Sequence, residues 1–245
     1  MVTCYDYWSA QIINATDVDT LLVGDSLAMV MHGYPSTVHA TVSMMATHIA
    51  AVRGGAPDKF IVGDSPFLPA RKSQNKVLDS VAELMQAGAN AVKIEGAAGQ
   101  LNTMEYIVES GVPVMGHLGL TPQSVESLGG HRVQGRLQDD AERIYKDAQA
   151  LQSVGCFALV LECIPQGLGR QISASLDIPT IGIGAGSYTD GQVLVLQDLL
   201  GMQANFKPRF LRHFMDGQGQ VSRAINGYHA EVTSGRFPNC EEVYK

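Results

Sequence analysis

One pattern constrains this chain more than any other: a short apolar run that ends in a carboxylate, repeated four times. LLVGD closes on Asp25, FIVGD on Asp64, NAVKIE on Glu95 and FALVLE on Glu162. The first two are each followed by a serine, Ser26 and Ser65. The last two follow Gly88 and Gly155, which stand where a left-handed residue ends a helix. Continuous apolar runs of this length between turn signals suit parallel strands covered on both faces.

The rest of the chain alternates in the same way. Strands are expected at Met1 to Cys4, Thr20 to Gly24, Lys59 to Gly63, Ala91 to Ile94, Pro113 to Gly116, Phe157 to Leu161, Thr180 to Ile183 and Val193 to Leu196. Helices are expected at Tyr7 to Ala15, from an N-cap at Ser43 to about Gly54, and from Gln74 to Ala87. In that third helix Val77, Leu78, Val81, Leu84 and Met85 share one face at helical spacing. Another helix carries Ala141, Ile144, Ala148 and Leu151 and stops at Gly155. The tail from Lys207 reads as helical with glycine-rich breaks. Eight strands separated by helices predict a (β/α)8 barrel rather than a doubly wound sheet. Without a linker-like segment, residues 1–245 read as a single domain.

Composition removes several function classes. A net charge of −7 without a Lys/Arg block argues against nucleic acid or an anionic membrane as the main partner. No apolar run approaches the ~18 residues of a spanning helix, and no signal-peptide pattern opens the chain. Four cysteines without CxxC spacing read as reduced thiols in a cytoplasmic protein.

In a barrel the strand ends share the C-terminal face, where active sites sit. Alone, any one such carboxylate reads as a loop brace or a helix cap. Four together repel and raise one another's pKa unless a cation lies among them. A hard divalent ion with oxygen ligands fits, and Mg²⁺ takes only one or two carboxylates directly. Another is then free for chemistry.

Lys93 lies two residues before Glu95, so both point to one side of their strand. It reads as a cation for a substrate carboxylate or a developing enolate, against a solvated lysine on the outer face. His117 ends the fifth strand, where it faces a substrate oxygen or braces a loop. Ser26 offers donors to a carboxylate or caps the next segment. GIGAG, from Gly182 to Gly186, is not a phosphate fingerprint and reads as small residues that let loops approach. Met44 and Met45 read as core.

The segments VTCYDYWSA, LLVGDSLAM, HGYPST, VGDSPF, NAVKIEG, VPVMGHLGLTPQS, GGHRVQG, LVLECIP, IPTIGIGAG and DGQVLVLQDLLGM, in this order, resemble the ketopantoate hydroxymethyltransferase family over essentially the whole chain. The resemblance implies a TIM barrel of the phosphoenolpyruvate/pyruvate-like type. It implies Mg²⁺, and transfer of a one-carbon unit from 5,10-methylenetetrahydrofolate to 3-methyl-2-oxobutanoate in pantothenate and coenzyme A synthesis. Asp25 and Asp64 match the metal-binding aspartates, and Glu95 a third metal-associated carboxylate. Asp25, Ser26, Asp64 and Lys93 match substrate contacts, with His117 a further candidate. Glu162 matches the proton acceptor. A homo-oligomer, up to a decamer, is also implied. Ala28, His39-Ala40 and Arg132 depart from the family pattern outside the carboxylate set. Members usually carry a helical segment before the first strand, and here the chain opens on that strand.

Two other readings compete. A metal-enolate barrel of the carbon–carbon lyase kind would share the carboxylates but not the GHLGLTPQS and GIGAG set. A ligand-binding barrel without catalysis would be expected to have lost some of the carboxylates, and all four are intact.

Overall fold

The computed structural model describes residues 1–203 and 206–244. In chain order the elements are β1 (Val2–Thr3), α1 (Tyr7–Asn14), β2 (Thr20–Val23), α2 (Leu27–Val30), α3 (Val42–Gly55), β3 (Phe60–Asp64), α4 (Gln74–Gln86) and β4 (Ala91–Glu95). Then come α5 (Leu101–Glu109), β5 (Val114–Gly119), α6 (Gln138–Ser153), β6 (Ala158–Glu162), α7 (Gln166–Ser173), β7 (Thr180–Ile183), β8 (Gly191–Gln192), α8 (Leu196–Leu199) and α9 (Gly217–Thr233). The strands form one parallel eight-stranded sheet in sequential order. A parallel bridge between Val2 and Leu194 joins the chain just after β8 back to β1, and the Thr3 N–H donates to Leu194 O at 3.1 Å.

Two compact units are present, Met1–Val195 and Leu196–Lys245. The reading of 1–245 as one domain carried the barrel to the end of the chain. The sheet lies wholly within the first unit. The second holds α8 and α9, and the Asp216 side chain caps α9 by accepting from the Gly219 N–H. Among the described residues no helix is long and apolar enough to cross a membrane.

Strand parity builds the interior. Leu22, Val62, Ala91, Met115, Ala158, Val160 and Val193 form one buried apolar cluster. Two residues further along, on the same face, stand Asp64 after Val62, Lys93 after Ala91, His117 after Met115 and Glu162 after Val160. A polar layer therefore sits above an apolar one. The opposite parity faces the helices. A Cβ at Gly63 would come 2.7 Å from Ile49 of α3, and one at Gly116 would come 2.9 Å from Leu151 of α6.

Boundaries differ from expectation in instructive places. The cap of α3 is Thr41, whose hydroxyl accepts from the Met44 N–H at 3.2 Å; Ser43 lies inside the helix. The eighth strand pairs at Gly191–Gln192, and the end of the apolar run Val193 to Leu196 passes into α8. Short apolar runs suit a strand or a buried helix equally. Helices α5 and α7 lacked a start signal, and neither Gln100 nor Pro165 makes a side-chain cap bond. Gly88 and Gly155 adopt the expected positive φ, 114° and 89°.

Gly119, at the end of β5, has φ 95°, and a Cβ there would stand 2.1 Å from the backbone oxygen of Glu162. Gly111 has a similar φ of 91° with nothing near its Cβ position. Gly111→Ala should cost only the left-handed backbone, roughly 1–2 kcal/mol. Gly119→Ala adds a backbone clash that has to displace β6, so its Tm should fall clearly further. Equal Tm values for the two variants would overturn this account of the β5–β6 contact.

Candidate active site

Register brings the polar residues together. Asp64 of β3 lies opposite Lys93 of β4, and Glu95 lies opposite His117 of β5. Glu162 of β6 lies opposite Gly119 of β5. Asp25 follows β2, and its backbone N–H donates to Asp64 Oδ2 at 3.2 Å.

All of the strand-end carboxylates except Glu162 are buried, as are Lys93 and His117. Lys93 Nζ stands 2.8 Å from Asp64 Oδ2 and 3.6 Å from Glu95 Oε1. At 3 % exposure Lys93 does not have the solvated outer position that was its alternative. Its closest carboxylate is Asp64 of the neighbouring strand, not Glu95 of its own. His117 bridges two acids: Nδ1 is 3.3 Å from Glu95 Oε1, and Nε2 is 3.2 Å from Glu162 Oε2.

Asp25, Asp64 and Glu95 each present a ligand atom within 4.8 Å of the others. The donor set is all oxygen. Asp64 Oδ1 is buried without a hydrogen-bond partner, an arrangement costly to leave unfilled. These residues fit a hard divalent cation of the Mg²⁺ class. Glu162 lies outside the triad and is linked to it through His117.

Ser26 sits at the N-cap of α2 yet makes no side-chain cap bond; its Oγ pairs with the Tyr5 hydroxyl at 2.7 Å. Ser65 is buried, and its backbone N–H donates to Lys93 O at 2.9 Å. The GIGAG segment is close-packed: a Cβ at Gly182 would come 2.7 Å from Thr189 Oγ1, and one at Gly186 would come 2.4 Å from Gln166 Cγ.

Gln123 had no role in the sequence reading. Its side-chain amide donates to Asp25 Oδ2 at 2.9 Å and to Ser65 O at 2.8 Å, and its backbone N–H donates to Glu95 Oε2 at 3.1 Å. The only signal was its place in GHLGLTPQS, just beyond a strand end.

Burial, then the Asp64 and Glu95 charges, push the Asp25 carboxyl well above the usual carboxylate range. Burial also raises Asp64, against the opposing pull of Lys93. For Glu95 burial acts upward, but Lys93 and His117 overcome it and hold the carboxyl low. Burial works against charge on Lys93, and the surrounding acids more than reverse it. Burial and Lys93 likewise oppose a charged His117, yet Glu162 and Glu95 raise it to about 9.

These shifts have a sign. A group with a raised folded-state pKa adds stability that is full below its unfolded value and is lost as pH rises through the folded one. For His117 the window runs from about 6.5 in the unfolded chain to about 9. Asp25 and Asp64 act in the same direction from the carboxylate range upward. The Tm of metal-free protein should therefore fall from about pH 6.5 to about pH 9. The fall should be shallower in His117→Gln, and added Mg²⁺ should raise Tm more at the alkaline end. A pH-independent Mg²⁺ effect on Tm would count against this charge balance.

Comparison with known proteins places the chain in a family. The family model described as ketopantoate hydroxymethyltransferase matches residues 1–240. A 3-methyl-2-oxobutanoate hydroxymethyltransferase of Bdellovibrio bacteriovorus is 53% identical, covering 100% of this chain and 93% of that protein. One of Francisella tularensis is 50% identical, covering 100% and 92%. Among solved structures, phosphoenolpyruvate phosphomutase from Streptomyces platensis matches with TM-score 0.64 at 10% identity, covering 96% of this chain and 82% of that one. A phosphonopyruvate hydrolase complex with oxalate and Mg²⁺ matches with TM-score 0.63 at 10% identity, covering 98% and 87%. At such identity these two likenesses establish the fold alone. A full-length family match and half-identical relatives over the whole chain establish more: the chain belongs to the ketopantoate hydroxymethyltransferase family.

Proposed function

We propose that this protein transfers a hydroxymethyl group from 5,10-methylenetetrahydrofolate to 3-methyl-2-oxobutanoate, giving 2-dehydropantoate and tetrahydrofolate in pantothenate synthesis. The observation that carries the reading is the buried triad of Asp25, Asp64 and Glu95 beside Lys93. When bound there, Mg²⁺ would supply Lewis-acid polarisation of the substrate's keto group and so acidify the adjacent C3–H.

The chain's own residues do the rest. Lys93 balances the acids and offers its ammonium to the substrate carboxylate or to charge developing on the keto oxygen. Ser26, fixed through Tyr5, stands beside Asp25 as a substrate donor. Glu162 is the strand-end carboxylate outside the triad, and it serves as the base that takes the C3 proton on a carboxylate oxygen. His117 orients Glu162 through the 3.2 Å contact and acts beside the substrate. Deprotonated C3 then bonds to the methylene carbon of the folate as one of its two C–N bonds opens. Water next supplies the hydroxyl to that carbon as the second C–N bond breaks; the folate nitrogens take up the C3 proton relayed by Glu162 and the remaining proton of the water, which leaves tetrahydrofolate.

Other features support wider parts of the proposal. The Val2–Leu194 bridge supports a closed (β/α)8 barrel of the phosphoenolpyruvate/pyruvate-like type. Four free cysteines support a reducing, cytoplasmic setting. Val221, Ile225, Tyr228 and Val232 recur at helical spacing on α9 and are all exposed. That exposed apolar stripe, in which Tyr228 also meets the Phe237 ring edge-on at 5.4 Å, supports a homo-oligomer. Ile225→Glu should lower the oligomer size measured by light scattering, and an unchanged mass would remove the stripe from the interface.

Wild-type protein should form ketopantoate from the two substrates with Mg²⁺, and thorough chelation should abolish it. Glu162→Gln keeps shape and polarity but cannot take the proton, so kcat should fall by about 10²–10⁴. Exchange of the C3 proton with deuterated water, followed by NMR without folate, isolates the step. If the Gln variant exchanges as fast as wild type, another residue is the base.

A further inference from the structure

We infer that Gln123 is a positioning residue which restricts Asp25 to one oxygen toward the divalent cation and thereby favours a small, octahedral ion over a larger one. This rests on the metal reading of the triad. Gln123 touches two of the three candidate ligands from one short turn, Pro122–Ser124, beyond β5. Its side-chain amide has two N–H groups, and both are engaged. One goes to Asp25 Oδ2 at 2.9 Å, the other to Ser65 O at 2.8 Å. The Ser65 carbonyl fixes the amide plane, so the bond to Asp25 has a set direction. Asp25 Oδ2 is thereby committed, and Oδ1 remains for an ion.

Asp64 follows the same rule. Asp64 Oδ2 accepts from the Asp25 N–H at 3.2 Å and stands 2.8 Å from Lys93 Nζ, leaving Oδ1 buried and unpartnered. Glu95 Oε2 accepts from the Gln123 N–H at 3.1 Å. Asp25 and Asp64 thus each have one oxygen tied to the protein, while the second oxygen of Glu95, Oε1, faces His117 Nδ1 at 3.3 Å and Lys93 Nζ at 3.6 Å. Mg²⁺ demands near-ideal octahedral geometry with single-oxygen ligands, whereas Ca²⁺ accepts two oxygens of one carboxylate and a higher coordination number. Of the three restraints, only the one on Asp25 comes from a replaceable side-chain amide. The Glu95 restraint uses backbone and survives substitution at position 123.

The test measures Mg²⁺ and Ca²⁺ binding to chelator-stripped protein by titration calorimetry, without substrates. Gln123→Met keeps length and bulk but loses the amide; Ser124→Ala in the same turn is the control. Loss of a residue that orients a metal ligand typically costs about 10–100-fold in affinity. Gln123→Met should lose that much for Mg²⁺ and less for Ca²⁺, narrowing the preference, while Ser124→Ala matches wild type. Should the Met variant not fold, Gln123→Asn gives the same comparison, since it draws the amide back by one methylene. Unchanged Mg²⁺ affinity in a folded variant would overturn the positioning role alone. An equal loss for both ions would overturn the one-oxygen restriction. A wild-type protein that binds neither ion would overturn the metal site and this role with it.

Discussion

Lys93 among buried carboxylates is the interaction on which the rest of the site depends. Three acids within 4.8 Å of one another, all out of water, repel and lose hydration together. A single ammonium 2.8 Å from Asp64 and 3.6 Å from Glu95 offsets part of that cost. It does not offset all of it, since Asp25 and Asp64 remain raised. The cluster is therefore short of positive charge, a deficit that a divalent cation would fill.

The sheet makes such a cluster tolerable by geometry. Parity places Lys93, Glu95, His117 and Glu162 on one face, directly above an apolar layer with little side-chain freedom. Register then sets partners across strands rather than along them, so Lys93 meets Asp64 and His117 meets Glu95. Two glycines clear the way: Gly119 leaves room beside Glu162, and Gly116 lets α6 approach the outer face. Charge, shape and backbone conformation are solved by the same strand ends.

This division also separates two kinds of acid. The triad is buried and shared, suited to holding an ion. Glu162, with 18% of its side chain exposed, stands apart from the triad, with His117 between it and Glu95. The separation of β4 and β6 by β5 thus keeps one strand-end carboxylate outside the triad.

How much of this was legible in the sequence follows from which forces are local. Alternation of apolar runs and helices gave the parallel sheet, because periodicity is set by backbone geometry alone. Glycine caps at Gly88 and Gly155 were readable for the same reason. Strand-end carboxylates could be grouped at one edge because parallel strands all end on the same side. The family motifs carried the reaction. Long-range contacts were not readable. The reach of Gln123 to Asp25 spans 98 residues, and the pairing of Tyr5 with Ser26 spans 21. The choice of Asp64 as the nearest partner of Lys93, the separation of Leu196–Lys245 as its own unit, and the cap at Thr41 were likewise decided in space. The sequence by itself determined which residues line the polar layer, since parity is a property of each strand. Only the tertiary structure decided which partner each carboxylate oxygen meets, because that depends on register and loop placement between distant segments.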